Sequence, residues 1–307
     1  MIMNGMEATM MEGKMENTYG IEIEFTNITR KNAAEVIRKV LNGTYKEGTT
    51  RETYPIEDQQ GREWKLTKDV SIHGTSSQQC ELVTPILTMP DLPTLKAIVE
   101  ALKEAGARST NKLGAGIHLH LGSQNHTVQT IRNLVNIMAA HEDQLFKAFG
   151  VEETRIDRYC QRTEKKFIEA LNKAKPSTMD ELRELWYTNN GGMEMTESHY
   201  HRSRYHALNL HALFTRYHTI EIRLGQWTRE NSFDWTALES FIRICMAMND
   251  LALSSKTASP KRQADWTSAY AFRCWLLRLG FIGEETKEVR KFLLKNFEGD
   301  KAWRRVA

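Results

Sequence analysis

Three short segments of the chain each place two ionisable side chains two residues apart, between bulky aliphatic residues. Because side chains alternate between the two faces of a β-strand, each segment predicts a strand with one apolar and one charged face. If these strands share a sheet, their carboxylates meet on one surface and must take up protons or bind cations. Imidazoles extend the set of metal ligands. The pattern predicts a metal-binding face that contains Glu22, Glu24, His118, His120, Glu221 and Arg223.

Two further acidic residues lie in predicted strands and are candidates for the same face. The alternating run over residues 64–72 places Lys65 and Asp69 on one side, and the next predicted strand, over residues 80–85, carries Glu81. A lone acidic residue in a strand is more often a surface group than a ligand. Asp69 and Glu81 are therefore candidates only because the neighbouring predicted strands carry other ionisable residues.

A segment rich in histidine, residues 199–215, also contains Arg204 and Asn209. The spacing of its histidines matches no single metal-binding motif, and a histidine-rich amphipathic surface is the favoured interpretation. The histidines concerned are His199, His201, His206 and His211.

The elements that must position these residues are predicted from apolar periodicity and from turn signals. A helix follows the Glu22 strand directly, and short strands or a hairpin come next, over residues 43–57. The sequence Asn-Asn-Gly-Gly at residues 189–192 is the strongest turn signal and indicates a surface loop. The predicted helices cover residues 28–41, 91–105, 128–149, 167–171, 179–186, 235–253, 265–279 and 284–297.

Size and charge leave most classes of soluble protein open. A length of 307 residues allows one large domain or two, and a hydrophobic content of 40% fits a globular protein. The 42 Lys and Arg residues nearly balance the 39 Asp and Glu residues, which gives a net charge of +3. Charge alone therefore gives no strong signal for nucleic acid or for an anionic membrane as partner.

Cysteine spacing and the first residues bear on the cellular compartment. The four cysteines lie far apart and form no CxxC pattern, which favours reduced thiols in a cytosolic protein. Residues 1–17 lack the basic start and apolar core of a signal peptide and predict a disordered tail. The longest apolar helical stretch is interrupted by Arg243 and Asp250 and is not expected to span a bilayer. We expect a cytoplasmic protein with no membrane partner.

Four motifs, taken together, resemble a known superfamily. They are Gly-Ile-Glu-Ile-Glu-Phe at residues 20–25, the Glu81 strand that ends in Thr-Pro, Gly-Ala-Gly-Ile-His-Leu-His at residues 114–120, and Ile-Glu-Ile-Arg at residues 220–223. Their order and common strand phase resemble the amidoligase branch of the glutamine synthetase and glutamate-cysteine ligase superfamily. The resemblance runs from about residue 19 to about residue 253.

The resemblance implies an α+β fold. In that superfamily a curved antiparallel β-sheet carries the active site on its concave face, and helices pack on the convex face. The implied organisation is a single catalytic domain over residues 18–300, with a helical insertion at about 128–190 and a helical C-terminal region at about 234–297. Residues 1–17 and 301–307 would be tails.

The resemblance also implies roles for individual residues. Arg223, His120 and Arg204 are the predicted catalytic residues, although His120 could equally be a supporting strand histidine. Arg223 is similar to a phosphate-binding arginine, and Asn209 and Lys65 are the other predicted cofactor-binding residues. The residues that resemble metal ligands are Glu22, Glu24, Glu81, His118 and Glu221, with Asp69 as a looser counterpart.

The implied activity is that of an ATP-dependent carboxylate–amine ligase that forms an amide bond through an acyl phosphate. The implied cofactors are ATP and Mg²⁺, with Mn²⁺ as an alternative metal. Carboxylates and a histidine would hold the ions that bridge phosphate oxygens, and Arg223 would bind a phosphoryl group through two parallel hydrogen bonds. The partners would be a carboxylate and an amine, either small molecules, peptides or protein-linked groups. An oligomer is compatible with the sequence.

Three alternatives remain open from the residues themselves. A His-x-His strand also occurs in metal-dependent hydrolases, which would require eight β/α units. A guanidino-kinase-like phosphotransferase on a related sheet is the second alternative. The third is a catalytically inactive module that binds nucleotide or metal. The sequence names no particular acid or amine.

Overall fold

An open antiparallel β-sheet with α-helices packed against it forms the framework of the protein. The computed structural model describes residues 16–229, 232–262 and 267–302. The α+β class predicted from the sequence is confirmed. The strands within the described residues are β1 (Tyr19–Phe25), β2 (Thr44–Tyr45), β3 (Thr53–Glu57), β4 (Glu63–Thr67), β5 (Cys80–Val83), β6 (Ile117–Gly122), β7 (Leu208–Asn209) and β8 (Thr219–Gly225).

The strand order places the three charged segments next to each other or one strand apart. The order across the sheet is β2-β3-β4-β5-β1-β6-β8-β7, and each neighbouring pair of these strands is antiparallel. Strands β5, β1, β6 and β8 therefore form the centre of the sheet. This topology differs from the parallel β/α barrel that the metal-dependent hydrolase alternative requires, so that alternative is wrong at the level of the fold.

The helices of the described chain fall into three groups along the sequence, of which the first, α1 and α2, lies among strands β1 to β6. Four of them, α3 to α6, lie between β6 and β7 in the range predicted as a helical insertion, and three follow β8. The helices are α1 (Arg30–Val40), α2 (Leu92–Glu104), α3 (Val128–Phe149), α4 (Glu153–Tyr159), α5 (Lys165–Ala174), α6 (Met179–Asn189), α7 (Trp235–Ser254), α8 (Ala269–Arg278) and α9 (Lys287–Leu293).

The apolar face of the sheet is the floor of the main core. Ile21, Ile23 and Phe25 alternate with the glutamates of β1 and are at most 1% exposed. Helix α1 contacts β3 and β4, and helix α7 contacts β6 and β8, so helices cover this face. Burying the aliphatic side of each strand leaves the opposite side, with its ionisable groups, free of that core.

The structure differs from the sequence prediction in one strand and three helices. Of the predicted helix over residues 265–279, residues 265 and 266 lie outside the described residues, and α8 begins at Ala269. The run over residues 64–72 is a strand only as far as Thr67, because Asp69 accepts a hydrogen bond from the Ser71 N–H at 2.7 Å and closes a turn. The last predicted helix, residues 284–297, is shorter, as α9 ends at Leu293. Helix α4 was not predicted, because its seven residues contain Ile156 as their one aliphatic side chain.

Most of both predicted tails lies outside the described residues. Of the predicted disordered tail, residues 1–15 lie outside the described residues, and of the predicted C-terminal tail only residues 301 and 302 are described. Within the described ranges, no helix combines the length and the apolarity that crossing a membrane requires. The four cysteines are all free thiols.

Candidate active site on the charged face of the sheet

Strand register brings the predicted site residues together on one side of the sheet. In the β1–β6 ladder Glu22 lies opposite His118, and in the β1–β5 ladder Glu24 lies opposite Glu81. The β6–β8 ladder places His120 opposite Glu221. We refer to the surface formed by Glu22, Glu24, Glu81, His118, His120 and Glu221 as the charged face.

Three residues of the charged face form a first ligand group: Glu22, His118 and Glu221. One oxygen or nitrogen from each lies within 4.8 Å of the others. His118 Nδ1 is 3.2 Å from Glu22 Oε2 and 3.7 Å from Glu221 Oε1. The side chains of His118 and Glu221 are each 6% exposed. The group therefore offers two carboxylates and an imidazole in a setting from which most water is excluded.

A second ligand group consists of Glu24, Asp69 and Glu81, whose oxygens also lie within 4.8 Å of one another. The Gly116 N–H donates a hydrogen bond to Glu24 Oε2 at 2.6 Å and orients that carboxylate. Asp69 reaches the group from the loop after β4 rather than from the strand that the sequence predicted. The sequence prediction for the placement of Asp69 in a strand was therefore wrong, although the residue lies beside the predicted partners.

The close approach of the carboxylates shifts the pKa values of two glutamates in these groups. Burial raises the pKa of Glu81, and the nearby carboxylates of Glu22, Glu24 and Asp69 raise it further, to well above its ordinary range. Burial also acts to raise the pKa of Glu22, but hydrogen bonds with the two histidines outweigh it and hold that pKa well below its ordinary range. Negative charge thus accumulates around Glu81, where either a proton or a cation can balance it.

The donor set fits hard divalent cations. The two groups together supply five carboxylates and one imidazole, and oxygen-rich sites of this kind suit Mg²⁺ and Mn²⁺. The pKa of Glu81, which burial and then the neighbouring carboxylates raise, agrees with a group of acids that lacks balancing positive charge. The first group could hold one ion and the second group another.

Arg223 lies at the β8 side of the charged face, next to an irregularity in the ladder. Between the pairs Ile117–Gly225 and Leu119–Ile222, strand β8 has one residue more than β6, which is a β-bulge. The Arg223 Nη1–H donates to Glu221 Oε1 at 2.5 Å. Burial opposes the charge of Arg223, but the adjacent glutamates raise its pKa above its ordinary value, so the guanidinium stays cationic.

His120 is held between a hydroxyl and two carboxylates. Its Nδ1 is 2.8 Å from Thr219 Oγ1, and its Nε2 is 3.5 Å from Glu22 and 3.9 Å from Glu221. Burial acts to lower the pKa of His120, yet the adjacent carboxylates, mainly that of Glu22, raise it above its ordinary value. His120 therefore adds positive charge to the first ligand group as the pH falls.

The remaining predicted residues line the same cavity in different ways. Asn209 donates its side-chain N–H to Glu221 Oε2 at 2.5 Å, and its Oδ1 accepts from the His211 N–H at 2.7 Å, so it positions Glu221. The guanidinium of Arg204 lies 5.5 Å from the ring centre of Tyr200. Lys65 lines the cavity from β4. Contact of these residues with a cofactor stays a prediction.

The charged face is the floor of a cavity of about 940 Å³. Ligand-binding clefts are commonly a few hundred to about 1,000 Å³, so this one has room for a nucleotide and a second substrate. The segment before β7 borders the cavity with His199 and Tyr200, the segment between β7 and β8 with Tyr217, and the loop after β4 with Lys68. The cavity therefore combines a charged floor with aromatic and cationic walls.

Sequence reasoning missed Arg155, which lines the cavity from helix α4. It is 4% exposed. The residue lies outside every alternating strand, so strand phase carried no information about it. The signal that could have indicated it is the Gly114–Gly116 glycine pattern, because a Cβ at Gly116 would collide with the Arg155 guanidinium.

Comparison with known protein families identifies one match for this chain. A family model whose description is "Putative amidoligase enzyme" matches residues 15–243, a range that contains all eight described strands and both ligand groups. Neither the curated proteins nor the solved structures include a match. The matched range covers most of the chain, and the resemblance deduced from the four motifs is confirmed. The chain belongs to this amidoligase family, whose description is that of a ligase-type enzyme.

Proposed function

We propose that the protein is an ATP-dependent carboxylate–amine ligase that forms an amide bond through an acyl phosphate. The observation that carries the proposal is the pair of ligand groups on one face of the sheet with Arg223 beside them. A site that only stored metal ions would need the carboxylates but no arginine. The buried guanidinium of Arg223 next to them suits a phosphoryl group, which carries several anionic oxygens.

The roles of the metal ligands follow from the donor sets. The first ligand group would hold one Mg²⁺ or Mn²⁺ and the second would hold another. These residues would thereby supply, through the bound ions, positive charge that offsets the negative charge building up during phosphoryl transfer. Glu22 is kept ionised by the histidines, so it is ready to bind a cation without first losing a proton.

The chain's own residues orient the reacting groups. Arg223 is fixed by Glu221 and by the Tyr159 carbonyl, which accepts from Arg223 Nε–H at 3.3 Å. Its remaining N–H groups are available to a phosphoryl oxygen, and the low exposure of the site strengthens that contact. His120 would orient the substrate from the other side of Glu221, held by Thr219. Arg204 and Lys65 would supply further positive charge along the walls.

The proposal extends to the shape of the site. In a glutamine synthetase-like arrangement the charged face is concave and the helices cover the convex side. The burial of Ile21 and Ile23 against helices, with Glu22 and Glu24 on the cavity side, supports this arrangement.

The test is a mass-spectrometric search for a condensation product. The protein is incubated with ATP, Mg²⁺ and pools of carboxylic acids and amines, and products are sought that are lighter by one water than the two reactants combined. ADP release is measured in parallel, and EDTA is expected to stop both. The variant Glu22→Gln should lose activity, and the exposed Glu47, away from the cavity, provides the matched control Glu47→Gln.

A guanidino-kinase-like phosphotransferase and an inactive nucleotide- or metal-binding module remain the competing functions. ADP formation with a phosphorylated guanidine as product would support the first. Binding of ATP and Mg²⁺, with no turnover over a broad set of acids and amines, would support the second and would contradict the ligase proposal.

A further inference from the structure

Arg155 is a buried cation whose contacts within the protein do not match its charge. Its Nη2–H groups donate to the carbonyl oxygens of Arg223 and Gly225, both at 3.4 Å, which is long for a hydrogen bond. Its Nε is buried and has no hydrogen-bond partner in the described part of the chain. Among the described residues, no carboxylate oxygen lies within 4.0 Å of its guanidinium, whereas Arg223 has Glu221.

This arrangement is costly for a structural residue. A guanidinium that leaves water loses strong hydration, and a few long bonds to carbonyl groups do not replace it. Accordingly, burial lowers the pKa of Arg155 below its ordinary value, although Glu24 and Cys160 act in the opposite direction. Buried arginines are normally paired with an anion. The missing anion is therefore expected from a ligand in the cavity that Arg155 lines.

The backbone around Arg155 is shaped to admit it. Any side chain at Gly116 would collide with the Arg155 guanidinium. The same glycine donates its N–H to Glu24. The absence of a Cβ thus places a cation near the second ligand group and beside Arg223, whose carbonyl oxygen accepts a hydrogen bond from it.

We propose that Arg155 is a second phosphoryl-binding residue, which together with Arg223 binds the terminal phosphoryl group of the nucleotide. This inference rests on the proposed function. A phosphoryl group has three non-bridging oxygens and can accept from two guanidiniums while a cation binds the third. A carboxylate has two oxygens and would leave one of these partners unpaired. Arg155 and Arg223 line the same cavity as Glu24, and Arg155 contacts the Arg223 backbone, which suits the larger anion.

The test compares three probes on the full chain by isothermal titration calorimetry: ATP with Mg²⁺, ADP with Mg²⁺, and inorganic phosphate. The variant Arg155→Gln should bind ATP roughly tenfold to hundredfold more weakly than the parent, because a charge-assisted contact is lost. Its affinity for ADP should be unchanged, and its affinity for inorganic phosphate should fall with that for ATP. Arg158→Gln, an exposed position on the same helix, is the matched control and should behave as the parent.

Gly116→Ala provides an independent variant that keeps the cation and displaces it. It should reproduce the selective loss of ATP affinity, and thermal unfolding followed by circular dichroism establishes that each variant is folded. If the parent binds ATP and a folded Arg155→Gln variant retains the full preference for ATP over ADP, the inference is wrong and the proposed function stands. Arg155-dependent binding of phosphate without any nucleotide binding would support the phosphoryl site and overturn the proposed function. A parent that binds none of the three probes would overturn both.

Discussion

Glu142 gives the protein a pH-dependent stability that the structure allows us to estimate. It is 2% exposed on helix α3, and its Oε2 accepts hydrogen bonds from the Thr163 N–H and Oγ1–H, both at 2.9 Å. Burial raises the pKa of Glu142 from 4.5 to about 7, against the effect of the Thr163 hydrogen bonds. Since Thr163 lies just after α4, this carboxyl fastens the segment that carries Arg155.

A carboxyl whose pKa is higher in the folded state prefers to fold protonated. Its full contribution is present below pH 4.5 and is lost as the pH rises through about 7. A shift of about 2.5 units is worth about 3 kcal/mol. The variant Glu142→Gln keeps an oxygen for Thr163 and cannot ionise. Its free energy of unfolding, measured relative to that of the parent, should therefore rise by about 2 to 3 kcal/mol between pH 5 and pH 8.

Urea unfolding of parent and variant at a series of pH values measures this difference directly. Comparing the two proteins at each pH removes the contributions of the other titrating groups, including those of the charged face. Glu169→Gln, an exposed position on helix α5, serves as a control and should follow the parent at every pH. A difference between Glu142→Gln and the parent that is the same at pH 5 and pH 8 would refute the reasoning.

Three further predictions concern the charged face. Glu221→Gln keeps the size of the side chain but removes a ligand charge, so activity should require more metal and be partly rescued by excess Mn²⁺ in a metal titration. Arg223→Lys keeps the charge but loses the planar guanidinium, so metal affinity should stay near that of the parent. Single-turnover phosphoryl transfer should slow by tens to hundreds of fold, which corresponds to about 2 to 4 kcal/mol. Parental rates at every metal concentration would show that Arg223 is only an ion-pair partner of Glu221. Metal binding should release protons, and fewer as the pH rises, because the raised pKa of Glu81 means that it must ionise before it binds a cation, as calorimetry in buffers of different ionisation enthalpy would detect. Equal proton release by Glu81→Gln and the parent would assign the proton to another group.

The strands and the charged face could be predicted because they depend on a local rule. Alternation with a period of two decides which side chains share a face of a strand, and the order of the motifs suggested that the strands share a sheet. Register then follows, since a slip by one residue would bury Glu22 and expose Ile21. The pairs Glu22–His118 and His120–Glu221 result from this rule.

The contributions of loops and of the helical insertion could not be predicted in the same way. Asp69 reaches Glu24 and Glu81 from a turn. The alternation of side chains along a strand does not predict which way a residue in the following turn points. Arg155 is on a seven-residue helix whose position depends on how the chain returns from α3 to the sheet. The sequence contains many arginines, and nothing in the local pattern separates Arg155 from the others. Only the fold shows that it lines the cavity.

The charged face is stable as a site because the sheet prevents its carboxylates from moving apart. Strand pairing determines the positions of Glu22, Glu24 and Glu81, and a separate donor orients two of them: His118 for Glu22 and the Gly116 N–H for Glu24. Glu81 has no such donor among the described hydrogen bonds, and its pKa is the one that rises. The repulsion among the acids is therefore concentrated at one carboxyl, where a cation would displace a single proton instead of rearranging the whole face. Under the proposed function, this distribution of donors would let a rigid framework bind and release cations at a site that is otherwise already organised.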